Sequence, residues 1–455
     1  MAPVNEGQLI FGLIVGIFLL LIMILKTKIH PFPALIISAA AIGIIGGLPP
    51  SSVISSITKG FGGTLGSIGI IIGFGIMMGR IFEISGAAET MARTFIKILG
   101  KGKEELALAI TGFVVSIPIF CDSGFVVLFP LAKAISKNTK KSIISLGVSL
   151  ALGLVITHSL VPPTPGPVGV AGIFEVSVGS MILWGIVLAI PMLFVGLAYA
   201  RWLGKKYYQI PDETGEGWIR TTPSKGTYTD LGKADKNLPS PFVSFAPIIV
   251  PIILILLQNV SKLLNITGAF KEVISFLGSP VIAVGIGLLI AIYGLGRKTN
   301  RKEFLSELEK GIKSAGIIIF VTGAGGALGM VLRDSGIGNV IAESISKTSI
   351  PAILLPFIIA TLVRFVQGSG TVAMITAASI SAPIIANLDV NPLFAALAAS
   401  IGSLFFSYFN DSYFWVVNRM MGIEDTKEQI KFWSVTTTLV WATGLAELLI
   451  ISAIF

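Results

Sequence analysis

Apolar runs of the length that crosses a lipid bilayer recur along this chain. Residues 8–25 (QLIFGLIVGIFLLLIMIL) and 242–258 (FVSFAPIIVPIILILLQ) are typical, since about 20 consecutive apolar residues span the hydrocarbon core. Only 13% of the residues are charged and 53% are hydrophobic, whereas a soluble protein carries roughly a quarter charged residues. These runs predict an all-α polytopic membrane protein.

Several apolar segments are long enough to be drawn as crossings, and two further pairs of segments are shorter. The predicted crossings are 8–25, 31–48, 62–82, 142–160, 178–200, 242–258, 280–296, 314–332, 392–409 and 432–454. The shorter pairs are 106–120 with 124–136, and 352–366 with 370–386. Their short lengths favour re-entrant hairpins at 106–136 and 352–386, although two full crossings per pair satisfy the same sidedness.

The basic residues are distributed unevenly between the two predicted faces of the membrane. With the N-terminus outside, the cytoplasmic segments are 26–28, 93–103, 133–141, 201–240, 297–313 and 419–431. They contain 26 of the 33 lysines and arginines, as the positive-inside rule requires. The outer segments hold only Lys59, Lys262, Lys271, Arg333 and Lys347. The sequence therefore predicts an inner-membrane protein with both termini outside the cytoplasm, and this topology accounts for the net charge without a nucleic-acid partner.

A polar stretch divides the chain into two halves. Residues 202–240 form a predicted cytoplasmic linker between residues 1–201 and residues 241–455. Each half carries about five crossings, one hairpin and one broken helix, which the hairpin precedes. The linker therefore separates two units of similar design.

The two halves also resemble each other in sequence. GIMMGRIFEISGAAETMA (75–92) aligns without gaps on GGALGMVLRDSGIGNVIA (325–342). In the predicted topology, span 62–82 runs inward and span 314–332 runs outward. The halves are therefore predicted to be inverted-topology repeats, which are typical of secondary transporters.

Each predicted hairpin turns at a Ser-Gly pair. The first tip lies in IPIFCDSGFVVLFP (117–130) and the second in VRFVQGSGTVAMIT (363–376). A half-helix that starts at such a tip points free N–H groups and partial positive charge into the bilayer, where it can bind a carboxylate. Tight turns without a ligand are the alternative interpretation. The candidate binding residues at the tips are Asp122, Ser123, Gly124, Gly368, Ser369, Gly370 and Thr371.

A broken helix is predicted after each hairpin. THSLVPPTPGPVGVAG (157–172) contains four prolines and three glycines, and proline interrupts a helix because it lacks a backbone donor. We predict breaks around 158–167 and, in FSYFNDSYFWVVNR (406–419), around 410–412. Backbone freed by a break can bind a ligand, although the first break can instead be a loop at the entrance. The candidate binding residues here are Thr157, His158, Pro162, Pro163, Thr164, Asn410, Asp411 and Ser412.

Ionisable side chains inside apolar segments are costly and therefore indicate function. Asp122, His158 and Asp411 are candidate proton carriers because each lies at an interruption, and His158 can instead donate to a substrate hydroxyl. Arg364 either faces an anionic substrate or pairs with Asp122 or Asp411, and the pairing is favoured. Cys121 is expected to border the substrate cavity. As the chain has one cysteine and two histidines, no disulfide, metal site or cofactor is expected.

At these residues the sequence resembles the gluconate permease family of proton-coupled sugar-acid symporters. The matching stretches are IPIFCDSGFVVLFPLA (117–132), HSLVPPTPGPVGVAG (158–172), VRFVQGSGTVAMITAA (363–378) and NDSYFWVVNRMMG (410–422). The resemblance implies a fold of the ion-transporter superfamily, with inverted repeats and two re-entrant hairpins, often as a homodimer. It also implies that the tip and break residues bind a gluconate-like acid, which enters by proton symport with alternating access. Thr164 and Tyr413 depart from the family pattern, in which a second histidine and a glycine are frequent.

The residues alone leave other functions open. The carrier can be sodium-coupled, or it can take another small hydroxy or amino acid such as glycerate or D-serine. An intramembrane enzyme would use His158 and Asp122 as acid and base, with Ser123 as the obvious nucleophile. A channel would conduct ions without saturable exchange.

Overall fold

A computed structural model describes residues 6–100, 102–212, 217–220, 238–264, 267–296, 300–338, 340, 351–408 and 410–454. The N-terminal helices are α1 (Glu6–Leu25), α2 (Pro31–Ile45), α3 (Pro50–Ser85), α4 (Ala87–Leu99), α5 (Glu104–Val115), α6 (Cys121–Thr139), α7 (Ile143–Leu160), α8 (Pro165–Ile173) and α9 (Val178–Lys206). Strands β1 (Gln209–Pro211) and β2 (Trp218–Arg220) then form an antiparallel ribbon. Residues 213–216 and 221–237 of the predicted linker lie outside the described residues.

The C-terminal half is also helical. Its helices are α10 (Pro241–Leu263), α11 (Ala269–Leu277), α12 (Pro280–Leu295), α13 (Arg301–Ser335), α14 (Leu354–Gln367), α15 (Gly370–Ile385), α16 (Pro392–Gly402), α17 (Ser412–Met420), α18 (Thr426–Gln429) and α19 (Val435–Ile454), with a π-helical turn at Ile430–Ser434 before α19. The fold is therefore an all-α membrane protein, as predicted, with a single small ribbon among the described residues.

Several described helices are long and apolar enough to cross a membrane. Four segments meet this criterion, namely Ile143–Ile173, Val178–Lys206, Pro241–Gln258 and Thr426–Ile451, and the number rises to six if two bent helix pairs each count as one span. Other predicted crossings contain shorter apolar helices, among them Glu6–Leu20, Pro31–Ile45 and Pro392–Gly402. Large apolar side chains such as Phe11, Phe18 and Phe194 cover the outside, as expected for a surface in contact with lipid tails.

Each predicted hairpin is a pair of helices, but only the second is joined at the predicted tip, because Ser123 and Gly124 lie in the first turn of α6 and not in the connection. Residues 116–120 connect α5 to α6, and Gly368–Ser369 connects α14 to α15. Gly368 has a φ of 89°, a left-handed conformation that only glycine adopts without strain. Ser369 then caps α15 by accepting a hydrogen bond from the Val372 N–H at 3.3 Å. Entry and exit of each pair on one membrane face remain a prediction.

Both predicted helix breaks are present, with different limits. α7 continues to Leu160 and α8 begins at Pro165, so the first break is shorter than 158–167 and leaves His158 in the last turn of α7. Pro162 and Pro163 cannot continue the helix, whereas Pro165 suits the first turn of the next one. The second break is longer than 410–412, because α16 ends at Gly402 and α17 starts only at Ser412.

Candidate functional site

A cavity of about 350 Å³ lies where the tips and the broken helices meet. We call it the central cavity. The N-terminal half lines it with Phe120, Cys121, Asp122, Val155, His158 and Ser159, and the C-terminal half with Arg364, Gly368, Ser369, Gly370, Thr371, Ser403, Leu404, Asn410, Asp411, Ser412, Tyr413 and Thr437. Both halves of the chain therefore contribute to one site.

Three helices begin at the wall of the central cavity. Cys121 starts α6, Gly370 starts α15 and Ser412 starts α17. The N-terminus of a helix presents unsatisfied N–H groups and partial positive charge. The side chains of Ser369 and Asp411 cap α15 and α17, whereas no side chain of a described residue caps α6. The three helix ends make this part of the cavity favourable for an anion.

A buried ion pair lies at one side of the cavity. The Nη2 atom of Arg364 is 2.5 Å from Oδ2 of Asp411, and these residues are only 6% and 8% exposed. Arg364 also donates to the Gly368 carbonyl through Nη1. Asp411 accepts further hydrogen bonds from Ser407 Oγ and, at 3.1 Å, from the Tyr413 N–H. This is the structural pairing that the sequence favoured for Arg364, and the two charges cancel.

Asp122 has a different environment from Asp411. Its Oδ2 accepts a hydrogen bond from Ser412 Oγ at 3.3 Å, which joins α6 to α17. Its Oδ1 is buried and has no hydrogen-bond partner among the described residues. None of these residues places a cation within ion-pair distance of the carboxylate. Asp122 is therefore the lining carboxyl group whose charge the described part of the chain leaves uncompensated.

His158 reaches the cavity from the last turn of α7. Its ring centroid is 5.5 Å from that of Phe120, and its Nδ1 has no hydrogen-bond partner within the described residues. A buried ring nitrogen of this kind can hold a proton or bind a ligand hydroxyl.

Hydrogen bonds to Ser407 hold the second break in place. Trp433 Nε1 donates to Ser407 Oγ at 2.9 Å, and Ser434 Oγ donates to the Ser407 carbonyl at 2.5 Å. The Ser407 N–H in turn donates to Thr437 Oγ1 at 3.0 Å. Because Ser407 Oγ contacts Asp411, this network determines where the ion pair lies.

The structure places some predicted site residues away from the central cavity. Ser123 lines a separate cavity, Pro163 lies against an apolar pocket, and Thr164 Oγ1 donates to the Val161 carbonyl at 2.5 Å. The predicted residues that do not line the central cavity are Ser123, Gly124, Thr157, Pro162, Pro163 and Thr164. A helix turns about 100° per residue, so Ser123 and Gly124, which follow Asp122, point elsewhere. Direct contact of these six residues with a ligand stays a prediction.

The cavity includes several residues that the sequence did not single out. Val155 and Ser159 line it with His158, and their spacing of three and four residues is the one that places side chains on the same helix face. Cys121 also lines it, in agreement with the expectation for this thiol. Ser403 and Thr437 carry no comparable sequence signal, because packing alone brings them to the site.

The sequence and the fold both have known relatives. The chain matches the GntP family permease model over residues 8–454. An uncharacterized permease of Haemophilus influenzae is 52% identical over 98% of this chain and 92% of its own length. The high-affinity gluconate transporter of Escherichia coli is 35% identical over 97% of this chain and 98% of its own length. The Gnt-II system L-idonate transporter of the same organism is 32% identical, over 96% and 98%.

Two solved structures of transporters share the fold. The YdaH transporter of Alcanivorax borkumensis has a TM-score of 0.63 and 16% identity, over 91% of this chain and 98% of that one. MtrF of Neisseria gonorrhoeae has a TM-score of 0.63 and 14% identity, over 92% and 94%. Because the family match extends through every segment that lines the central cavity, the chain belongs to the GntP family of permeases, as a multi-pass inner-membrane transport protein and not an enzyme.

Proposed function

We propose that this permease imports gluconate or a related sugar acid by proton symport with alternating access. The observation that carries the proposal is the charge arrangement of the central cavity. Arg364 and Asp411 neutralise each other, whereas Asp122 is left without a cationic partner among the described residues. The names of the relatives, gluconate and L-idonate transporters, support the substrate class.

A sugar acid matches the chemistry of the cavity walls. Its carboxylate suits the helix N-termini, above all that of α6, which has no side-chain cap within the described residues. Its hydroxyl groups can exchange hydrogen bonds with His158, Thr371 and Ser412, which also line the cavity. A ligand with one carboxylate and several hydroxyls therefore uses more of these groups than a simple monocarboxylate does.

The charge of Asp122 links substrate binding to a proton. Ionised Asp122 repels an incoming carboxylate across a cavity of low dielectric, and protonation of Asp122 removes that repulsion. Proton and substrate binding then favour each other, and this coupling is reciprocal. Sodium near Asp122 would serve the same purpose, so the experiment below is done without sodium.

The two halves of the chain are proposed to be inverted repeats, residues 1–201 and 241–455, joined by the cytoplasmic linker 202–240. The aligned glycines Gly86 and Gly336 support this, because each ends a long helix with a φ of 73° and 76°. The proposed topology keeps both termini outside the cytoplasm, and the family resemblance adds a homodimer.

Phe120 is the proposed barrier on the cytoplasmic side. It lines the central cavity and also a second cavity of about 260 Å³, with Arg80, Ser123 and Lys310. Arg80 pairs with Glu83 and with Glu307 across α3 and α13. Because this side chain borders both the substrate cavity and a charged vestibule, its movement would open the site to one face.

The test is gluconate uptake into proteoliposomes with an imposed pH gradient and no sodium. Accumulation above equilibrium that an uncoupler abolishes is expected for the wild-type chain. Asp122→Asn is expected to lose accumulation while it retains gluconate exchange, because the variant binds substrate without exchanging a proton. Asp389→Asn, at an exposed carboxylate outside the cavity, is the matched control. Undiminished accumulation by Asp122→Asn would exclude Asp122 as the proton carrier.

A further inference from the structure

A second cavity lies apart from the central one. It measures about 480 Å³ and lies between α3, α13, α15 and the turn after α8. Lys59, Thr64, Glu175 and Arg333 provide its charged and hydroxyl groups, and small residues such as Gly63 form much of its wall. We call it the Arg333 cavity.

The Arg333 cavity lies at the opposite end of α3 from Arg80 and its partners Glu83 and Glu307. Lys59 and Arg80 are separated along the helix by ~30 Å at 1.5 Å per residue, which is close to the thickness of the hydrocarbon core. The charge distribution assigns Lys59 and Arg333 to outer segments. α8 and α15 separate this cavity from the central one, with Met374 and Ile375 packed against glycines of α8.

The Arg333 cavity already holds a carboxylate. Nη2 of Arg333 is 3.1 Å from Oε1 of Glu175, and the two side chains are 51% and 70% exposed. Exposure of this degree makes the pair weak and easily exchanged. Lys59 has no carboxylate within ion-pair distance among the described residues. The charges of Lys59, Arg333 and Glu175 therefore give the cavity wall a net charge of one positive unit.

Glu175 occupies a position where glycine is usual. It follows the C-terminus of α8 with a φ of 57°, and the next N–H, of Val176, donates to the Ala171 carbonyl at 2.9 Å. A side chain in this left-handed position is disfavoured. The glutamate in this position places its carboxylate on Arg333, which points to a role for that carboxylate.

We propose that the Arg333 cavity is a second anion-binding site, in which a small organic carboxylate replaces Glu175 on Arg333. The planar guanidinium suits a carboxylate, and Lys59 supplies the charge that favours an anion over a neutral ligand. The identification of this anion as the transported sugar acid rests on the proposed function. In that case the Arg333 cavity is the site on the outer face at which the substrate enters.

A cysteine reporter tests the binding site without transport. A Cβ atom added at Gly63 or at Gly62 meets no atom within 4 Å, but only Gly63 lines the cavity. Gly63→Cys and the matched Gly62→Cys are labelled in detergent with an anionic and a cationic methanethiosulfonate, and the reaction of native Cys121 is subtracted. At Gly63→Cys the anionic reagent is expected to react about fivefold faster than the cationic reagent. Gluconate is expected to slow the reaction of the anionic reagent.

Neutralisation of the cations completes the test. Lys59→Gln with Arg333→Gln is expected to abolish the preference for the anionic reagent, whereas Glu175→Gln is expected to increase it. In uptake assays at low salt, Arg333→Gln is expected to raise KM about fivefold with little change in kcat, and added salt is expected to reduce the difference.

The outcomes separate the two proposals. Equal labelling by both reagents, insensitive to Lys59, Arg333 and gluconate, would overturn the second site whether or not gluconate is transported. A retained anion preference in a chain that transports no gluconate would support the second site and overturn the proposed substrate.

Discussion

At the scale of single residues, the two carboxyl groups of the central cavity differ in their partners. Asp411 contacts Arg364, Ser407 and the Tyr413 N–H, so both of its oxygens are engaged. Asp122 contacts Ser412 through one oxygen only, and its other oxygen has no described partner. This difference in partners is the reason that Asp122, and not Asp411, is the proposed proton carrier.

The Arg364–Asp411 pair is predicted to matter for stability through its balance of charge. Asp411→Asn leaves a guanidinium buried without its counter-charge, so the free energy of unfolding is expected to fall by about 3–5 kcal/mol. The double variant Arg364→Gln with Asp411→Asn buries no charge and is expected to recover much of that loss. Thermal unfolding in detergent measures all three variants as a double-mutant cycle. Additive losses would contradict the pairing.

Glu104 gives the stability a defined dependence on pH. It precedes the apolar segment 106–120, is almost fully buried, and lies 2.8 Å from Lys141 Nζ. Burial by itself raises the pKa of Glu104, but Lys141 and the Gly102 N–H outweigh it, so the pKa lies below its ordinary value of 4.5. The stabilisation is therefore complete above pH 4.5 and is lost as the pH falls through the native pKa.

Lys141→Met is expected to destabilise the protein by about 2 kcal/mol at pH 7, because it leaves Glu104 and its neighbour Glu105, which Lys141 also contacts, buried without a cation. The difference from wild type is expected to shrink when the pH is lowered from 7 to 4, because protonation of Glu104 removes the charge that Lys141 compensates. Thermal unfolding at both pH values measures this, with Lys103→Met, at an exposed lysine next to Glu104, as the control for charge. A difference that grows on acidification would contradict the role of Glu104.

At the scale of elements, the tip between α14 and α15 depends on the backbone of one residue. Gly368 has a positive φ, and a Cβ atom there would lie 2.2 Å from the Asn410 carbonyl oxygen. Its own carbonyl accepts from Arg364. The close approach of the tip to the second break therefore requires a residue without a side chain.

Gly368→Ala is expected to destabilise the protein by about 2–3 kcal/mol, because it combines backbone strain with a clash. Gly370→Ala is the matched control, since a Cβ atom there lies 3.5 Å from its nearest neighbour, the Ser403 carbonyl oxygen. Thermal stability in detergent distinguishes the two variants without reference to transport. Equal stabilities would show that the tip relaxes without cost.

At the scale of the whole molecule, the ribbon β1–β2 ties the two halves together near the site helices. Trp218 lies 6.1 Å from Phe129 of α6, between ring centroids, and packs on Gly422 just after α17. Arg220 donates to both carboxylate oxygens of Glu428 at 2.8 and 2.6 Å. These contacts join segments that the positive-inside rule assigns to the same membrane face.

Trp218→Ala and Arg220→Ala are predicted to differ in effect. Removal of the indole opens a gap between α6 and the loop after α17, so a loss of about 2 kcal/mol or more is expected. The Arg220 side chain is half exposed, so its ion pair contributes about 0–1 kcal/mol. Thermal unfolding compares the two variants. A larger loss for Arg220→Ala would show that charge, and not packing, holds the ribbon.

Much of the architecture was predictable, because local rules govern it. Apolar runs form helices in a membrane since every backbone polar group must be paired within the segment. Backbone geometry alone marks the interruptions of the helices at Pro162, at Pro163 and at the tip that contains Gly368. The limits of the second break were not predictable, because the Ser407 network that holds it involves residues of α19 and the π-helical turn.

The sequence by itself determined the membrane class, the helical fold, the two interruptions in each half and the short set of polar residues near them. Only the tertiary structure decided which of these residues share a cavity, that Arg364 pairs with Asp411 and leaves Asp122 apart, and that Phe120 lines two cavities. The physical reason is the distance along the chain over which the interactions act. Helix formation and its interruption depend on neighbours within a few residues, whereas the site depends on packing between segments such as Asp122 and Ser412, which are 290 positions apart.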